Sequence, residues 1–473
     1  MYQKLKKIKF FLLFLAFCVV IFFSFKVSNI DIKTLLEGFK NSISFIKEMF
    51  PPDFSNSGKI LLLTIETISI GFWGTLLGVI ISFPLSFLNA KNTSHNIIVF
   101  RFVKTFVNTL RAIPDIMFAL IFVISFGMGP IPGVLAIALS TIGLLTKFYS
   151  EAIESIDTKP VEALNATGGH ALGIIRHAII PQVFPLFMGY NLYLFDHNIR
   201  IAMILGILGT GGLGTELFTM MRRFHYKKAF AIIIIIFIVI ILIDRISTKL
   251  RKDIIDGTFL NEKNKIKDII FILIFSILAI LSLYFIPVNF KDIATGFPKV
   301  LNFVKYFFPP DFREILSYIK MMGETIGMGI SGTFIAIILS IPVGILSARN
   351  VVNNQILYNI SKEIANFFRA MPELILALIF VVAVGLGPFA GVLAISLHTV
   401  GFLGKFYAEA IENIDHRPVE AIEAVGAKTI QVIRHSVIPQ VLPLFNSYNL
   451  YLLDRNVRAS TVMGIVGAGG IGF

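Results

Sequence analysis

Long apolar stretches broken by short polar ones run the length of the chain. In the first half they fall at about residues 10–28, 60–88, 100–127, 131–150, 179–208 and 229–245. In the second half they fall at about 267–286, 320–346, 358–385, 389–408 and 437–466. Roughly 20 apolar residues cross a bilayer as a helix, so the pattern predicts an all-α integral membrane protein with about 11 spans. The longer windows must tilt, break or extend beyond the lipid. Between the first two windows, Leu35, Leu36, Phe39, Ile43, Ile46 and Met49 recur at helical spacing. Ile293, Phe297, Leu301, Val304 and Phe308 hold the same place in the second half. Either an interfacial helix halted by Pro-Pro or an ordinary packed helix produces such a stripe.

The two halves are one unit written twice. Phe50-Pro51-Pro52-Asp53-Phe54 returns as Phe308-Pro309-Pro310-Asp311-Phe312, an offset of 258 residues that holds without gaps to the end. Lys147 to Gly214 matches Lys405 to Gly472 at 39 of 68 positions. The expected domains are a first repeat over 1–255 and a second over 256–473. The second ends before a counterpart of the sixth window, so a sequence cut short of a twelfth span is expected.

Composition supports the membrane class. The chain has 473 residues, of which 15% are charged and 56% hydrophobic, with a mean hydropathy of +0.81. A soluble domain carries about 25% charged residues. The excess of Lys and Arg, 42 against 29 Asp and Glu, marks cytoplasmic loops in such a protein rather than a nucleic-acid surface. Lys4, Lys6, Lys7 and Lys9 place the N-terminus in the cytoplasm. No small-residue cleavage site follows the first window, so it reads as a retained helix rather than a signal peptide. Six spans return the chain to a basic linker of Lys249, Arg251, Lys252, Lys263, Lys265 and Lys267, so the repeats share one orientation. Arg222, Arg223, Lys227 and Lys228 would then lie on the outer side, where an anionic ligand or membrane lipid could meet them. The single cysteine, Cys18, excludes an intrachain disulfide and a cysteine metal cage.

The strongest functional signal is polar. After the fourth window come Asp157, Pro160, Glu162, Ala163, Leu164, Gly168, Arg176, His177 and Pro181. Asp157 and Pro160 signal a helix start, and Glu162 suits its positive end. Gly168 breaks that short helix and Pro181 opens the next span. The result is a compact knob, rebuilt in the second repeat by Asp415, Pro418, Glu420, Ala421, Ile422, Gly426, Arg434, His435 and Pro439. Two such knobs would dock two copies of a soluble partner.

At Glu162, Ala163, Leu164, Gly168, Ile180 and Pro181, and again at Glu420, Ala421, Ile422, Gly426, Ile438 and Pro439, the chain resembles the coupling loop of ABC importer permeases. Leu164 and Ile422 stand where a second Ala is commoner, and Ala178 and Ser436 replace the usual Ile. The runs GLGPFAGVLAISLHTVGFLGKFYAEAIENID and VRASTVMGIVGAGGIGF look like phosphonate-type permeases in particular, here in tandem. The resemblance covers about 55–250 and 315–473. It implies a type I importer core that does not hydrolyse ATP and binds no cofactor. It also implies two ATPase subunits whose clefts receive the knobs, and an extracytoplasmic substrate-binding protein. Gly404-Lys405-Phe406 lacks the Ser/Thr and upstream Gly of a phosphate-binding loop, as that division of labour requires. Gly168→Leu or Gly426→Leu is expected to uncouple hydrolysis from transport by spoiling a close backbone approach.

Ionisable residues inside spans cost on the order of 2.5–3.5 kcal/mol each on insertion scales, so each needs a reason. Glu66 and Glu324 sit one to two turns into their spans. Arg111 and Asp115, repeated as Arg369 and Glu373, are spaced to face each other across one helical turn. Asp196 and Arg200, repeated as Asp454 and Arg458, have the same spacing in the fifth window, near Asn191 and Asn449. Such pairs either pin helices together or line a translocation path, and Arg200 and Arg458 are the natural groups to offer an anion. Gly209-Thr210-Gly211-Gly212-Leu213-Gly214 follows a span rather than a strand, which makes it a bent or closely packed helix end and not a dinucleotide loop. His398 replaces Ser140 of the first repeat and suits hydrogen-bonded packing better than metal binding.

These readings converge on the permease of an ABC importer for phosphonate, phosphite, phosphate or a related oxyanion. The rival, an ion-gradient-driven secondary transporter, would also use a tandem repeat and buried carboxylates such as Glu66 and Asp196. It leaves the duplicated polar knob unexplained. A membrane-embedded enzyme would need a clustered catalytic constellation, and the sequence offers none.

Overall fold

A computed structural model describes residues 15–255 and 269–472, except 17, 31, 95, 270–272, 274–275, 278, 287–289 and 353. The first repeat forms α1 (Cys18–Val27), α2 (Ile32–Met49), α3 (Ser57–Asn89), α4 (Ile97–Ala112), α5 (Asp115–Phe126) and α6 (Pro130–Glu154). It continues through α7 (Lys159–Ala166), α8 (Ala171–Ile174), α9 (Ile180–Gly206), α10 (Gly212–Arg222) and α11 (Tyr226–Ile255). The second forms α12 (Phe290–Lys305), α13 (Ile315–Leu346), α14 (Gln355–Ala370), α15 (Glu373–Val384) and α16 (Pro388–Glu412). Its remaining helices are α17 (Arg417–Ala424), α18 (Thr429–Val432) and α19 (Ile438–Met463).

Among the described residues, six helices are long and apolar enough to cross a membrane. The window at 10–28 is described from residue 15 on and forms α1, too short to count among the six, and the window at 267–286 is described only in part. The windows at 100–127 and 358–385 form no straight span: α4 and α5 meet at 87°, and α14 and α15 at 92°. Pro114 and Pro372 explain the breaks, because the residue before a proline is driven out of the helical region. Ile113 and Met371 are accordingly extended, with ψ of 124° and 121°. Asn96 and Asn354 cap the helices entering these pairs, each side chain accepting two backbone N–H groups.

By packing, the chain divides into two compact units, one of residues 49–310 and one of residues 1–48 with 311–473. In the first unit α3, α6 and α9 form the core. Gly71 lies against Ile199 of α9, and Gly74 and Gly78 lie against Ile137 and Thr141 of α6. These small residues let the backbones approach closely, the main source of helix association in lipid. Asn198 locks the three helices, donating to Thr75 and Thr141, each at 2.8 Å. The second unit repeats the device, with Asn456 donating to Thr333 and Thr399, each at 2.9 Å.

Each unit also takes helices from the opposite sequence repeat. In the first, Trp73 donates to Ser282 at 2.8 Å, and Phe297 of α12 meets Phe126 of α5 edge-on. In the second, Phe25 of α1 meets Phe334 of α13, and Asn41 of α2 donates to the Ala383 carbonyl at 3.3 Å. Of the stripe on α2 and α12, the side chains of Leu35, Leu36, Phe39 and Ile293 lie outside the described residues, and the rest is only partly used. Met49 is buried, while Ile43, Ile46, Phe297, Leu301 and Val304 are exposed. One side packs and the other stays open, as in a helix at a lipid interface.

Candidate functional site

The knob is built as its residues dictate. Lys159 N–H donates to the Asp157 carboxylate at 3.1 Å, and Arg417 N–H to Asp415 at 3.0 Å, so an aspartate turn starts each short helix. Pro160 and Pro418 sit in the first turn, with Glu162 and Glu420 behind them. Neither α7 nor α17 contains a buried residue. Val161 and Val419 root the helices on core clusters of their own repeats. Glu162, Ala163, Glu420 and Ala421 face away, exposed. Leu172 and Val425, 80% and 82% exposed, add apolar surface to the same knobs.

Gly168 and Gly426 end these helices at φ of +75° and +81°, with open space where a Cβ would stand. Within this chain their requirement is the left-handed backbone, with no close approach to another part of the chain. Beyond the glycine, each knob leads through a π-helical turn, Ile175–Ile179 and Ile433–Val437, into the fifth span. Pro181 and Pro439 account for it. A proline has no N–H for the ladder and crowds the carbonyl four residues back, and the ladder widens so that Ile180 N–H reaches Ile175 O.

The charges at depth separate. Asp196 and Arg200 form an ion pair whose side chains are 9% and 18% exposed. Their counterparts Asp454 and Arg458 pair at 2.5 Å but are 68% and 54% exposed. Asn191 and Asn449 accept the hydroxyls of Tyr149 and Tyr407, which stack on Phe187 and Phe445. Arg111 and Asp115 do not face each other along one helix, because the helix ends between them, and the same holds for Arg369 and Glu373. Asp115 accepts the Ser140 hydroxyl instead. In the second repeat His398 takes the serine's place. Its Nδ1 lies 2.9 Å from the Met371 carbonyl, and its Nε2 lies 3.0 Å from Arg455 and 3.8 Å from Glu373. A carbonyl only accepts, so Nδ1 carries the proton and Nε2 receives the Arg455 donor.

Glu66 serves the glycine-rich segment, accepting the Gly212 N–H, while Thr67 accepts the Leu213 N–H at 2.9 Å. In the second repeat Thr325 accepts the Ile471 N–H at 2.9 Å, and Glu324 lines a small recess with Lys320, Gly469 and Gly470. The segment is a closely packed helix end, with φ of +88° at Gly211 and +71° at Gly212. Arg222, Arg223 and Lys227 are exposed, and Arg222 lies over the Phe218 ring. No group of three or more His, Cys, Asp or Glu side chains able to hold a metal ion occurs among the described residues.

Residues 74–256 and 340–473 match the family model of the binding-protein-dependent transport system inner membrane component. The chain belongs to this family of permeases. Each matched segment contains one knob, so both repeats are permease units. The permease is 37% identical over 447 residues to the phosphate-import permease protein PhnE of Mycolicibacterium smegmatis, across 93% of this chain and 83% of that protein. It is 42% identical over 201 residues to the phosphite transport system permease protein PtxC of Stutzerimonas stutzeri, across 42% of this chain and 73% of that one. Over 121 residues it is 40% identical to the putative cryptic phosphonate transport system permease protein PhnE2 of Escherichia coli K12, across 26% of this chain and 99% of that one. The protein is thus a multi-pass membrane transport subunit of an ABC importer and not an enzyme, and a gradient-driven carrier finds no support.

Two polar devices of the permease escaped the sequence reading. One is the Asn198 node with its copy at Asn456. The other is Gln182 with its copy at Gln440, which bind the knob to the fifth span. Both carried a usable signal, since Asn198, Thr75, Thr141 and Gln182 all recur as the same residue 258 positions on.

Proposed function

We propose that this permease imports phosphonate or a related small phosphorus oxyanion, driven by two ATPase subunits that receive the knobs at α7 and α17. The N-terminus and both knobs lie in the cytoplasm, and the repeats over 1–255 and 256–473 act as the two halves of one translocation unit. A binding protein delivers substrate from outside. The observation that carries the reading is the duplicated knob. Two helices with no buried residue, carrying Glu162, Ala163, Glu420 and Ala421 outward, have surface to give to a partner. The names of the phosphate, phosphite and phosphonate relatives supply the substrate class.

Affinity purification of the permease from detergent-solubilised native membranes tests the docking. An ATPase subunit is expected to co-purify. Gly168→Val with Gly426→Val is expected to cut its recovery about fivefold to thirtyfold, because a β-branched residue in the left-handed region costs about 1–2 kcal/mol. Gly168→Asn with Gly426→Asn, tolerated at such φ, should retain it. Equal recovery from the valine and asparagine variants would remove the coupling assignment.

Arg200 and Arg458, with Asp196 and Asp454 beside them, are proposed to meet the passing anion in the fifth spans. Glu66, Glu324, Arg111 and Arg369 flank the same path. Binding there has to be weak enough for release. Arg200→Gln with Arg458→Gln is expected to raise the apparent KM for uptake roughly tenfold or more, the loss of one charge-assisted hydrogen bond. Unchanged uptake rate and affinity in proteoliposomes would refute the pathway role.

A further inference from the structure

Gln182 and Gln440 follow the prolines that open α9 and α19. In the first repeat Asp157 N–H donates to Gln182 Oε1 at 3.0 Å, and Gln182 Nε2 donates back to the Asp157 carbonyl at 3.3 Å. The same Nε2 donates to the Ala178 carbonyl, inside the π-helical turn, at 2.7 Å. Gln440 repeats the pattern with Asp415 at 3.0 and 3.2 Å and with the Ser436 carbonyl at 3.0 Å. A primary amide offers one acceptor and two donors, and here all three are placed. The clamp therefore joins three points: the start of the knob helix, the π turn, and the first turn of the fifth span.

The position matters because of what lies between those points. A π turn is wider than the α turns around it and recurs at functional sites. Left alone, it would yield when the knob is displaced, and the motion would be lost before reaching α9. With the glutamine bridging it, knob and span are held by hydrogen bonds on both sides of the compliant turn. α7 buries no residue of its own, so this polar bridge supplements the contact that Val161 makes beneath it.

We infer that Gln182 and Gln440 are positioning residues for energy coupling, making each knob and its fifth span move as one body. The inference rests on the reading of the knobs as ATPase docking sites, and its test separates the two. Gln182→Met with Gln440→Met keeps the length and volume of the side chains and removes the hydrogen bonds. The variant permease is reconstituted in proteoliposomes with the ATPase and binding protein of its own system. The expected result is undiminished co-purification of the ATPase and ATP hydrolysis within about twofold of the parent. Uptake per ATP hydrolysed falls at least about tenfold, a ratio that a loss of folded protein would not change. Spin labels at Ala166→Cys and Leu186→Cys, in a Cys18→Ser background, report the motion directly. Their separation should hold constant through the ATP cycle in the parent and change with nucleotide in the methionine variant.

Normal uptake per ATP in the methionine variant, with the labels still moving together, overturns the inference and leaves the docking reading standing. Loss of ATPase binding by a folded methionine variant also overturns it, since the glutamines would then shape the docking surface. Failure of the parent permease to bind any ATPase refutes the docking reading, and the inference falls with it. Should the double variant not fold, Gln182→Met and Gln440→Met singly carry the same test, each with a partial loss of coupling expected.

Discussion

Asp196→Ala is expected to destabilise the permease by about 3–5 kcal/mol, the usual cost of removing one partner from a buried ion pair. The side chains of Asp196 and Arg200 are 9% and 18% exposed, so the substitution leaves a guanidinium with little access to solvent. Removing both charges in Asp196→Ala with Arg200→Met should recover most of the loss, because no uncompensated charge then remains. Asp454→Ala supplies the control inside the same chain. Its pair with Arg458 is more than half exposed, so the freed arginine can reorient and snorkel. That change should cost no more than about 1 kcal/mol. Thermal unfolding of the purified permease in one detergent, read as Tm, compares the variants. If Asp196→Ala and Asp454→Ala lower Tm equally, Arg200 is satisfied by groups other than Asp196 and the argument from burial fails.

The contrast between these pairs shows where sequence reasoning reaches and where it stops. Spacing alone placed Asp196 beside Arg200 and Asp454 beside Arg458, because four residues make about one turn of any unbroken helix. The same spacing misled at Arg111 and Asp115, since Pro114 ends one helix and starts another at 87°. The spans around α3, α6 and α9 were legible because hydrophobic windows of bilayer length have few alternatives. The knob was legible because Asp, Pro, Glu and Gly at fixed offsets spell a start, a first turn and a stop. Burial was not legible, since identical pairs in the two repeats meet different neighbours. In the first repeat α11 packs beside α9. The exchange of leading helices between units was hidden for a related reason. A repeat in sequence records ancestry, whereas the apolar faces of α1 and α12 record only that they need a partner. At Gly168 the sequence shows a glycine without showing its φ of +75°.

The glycine-rich ends of the fifth spans should be the least tolerant positions in the molecule. At Gly214 a Cβ would overlap the Met203 carbonyl oxygen, a backbone atom that cannot swing aside. At Gly212 it would overlap the Thr67 hydroxyl, and φ there is +71°. Two penalties combine at Gly212. A side chain in the left-handed region costs about 1–2 kcal/mol, and displacing Thr67 breaks its bond from the Leu213 N–H, about 0.5–1.5 kcal/mol more. Gly470 faces Thr325 in the same way, with φ of +83°. Gly212→Val is therefore expected to lower stability by at least about 2 kcal/mol, and Gly214→Val by more, since its backbone clash has no local relief. The consequence reaches function, because Glu66 and Thr67 hold the start of α10, directly after the helix that carries Asp196 and Arg200. A permease that still inserts with Gly212→Val should lose transport as well as Tm. Thr67→Val separates the causes, since it removes the hydroxyl while leaving the glycine backbone free. If Thr67→Val matches Gly212→Val in both transport and Tm, the hydrogen bond governs the site. If it is mild while Gly212→Val is severe, the left-handed backbone does. Wild-type Tm and transport in Gly212→Val would show that the segment does not dock on α3 in the working protein.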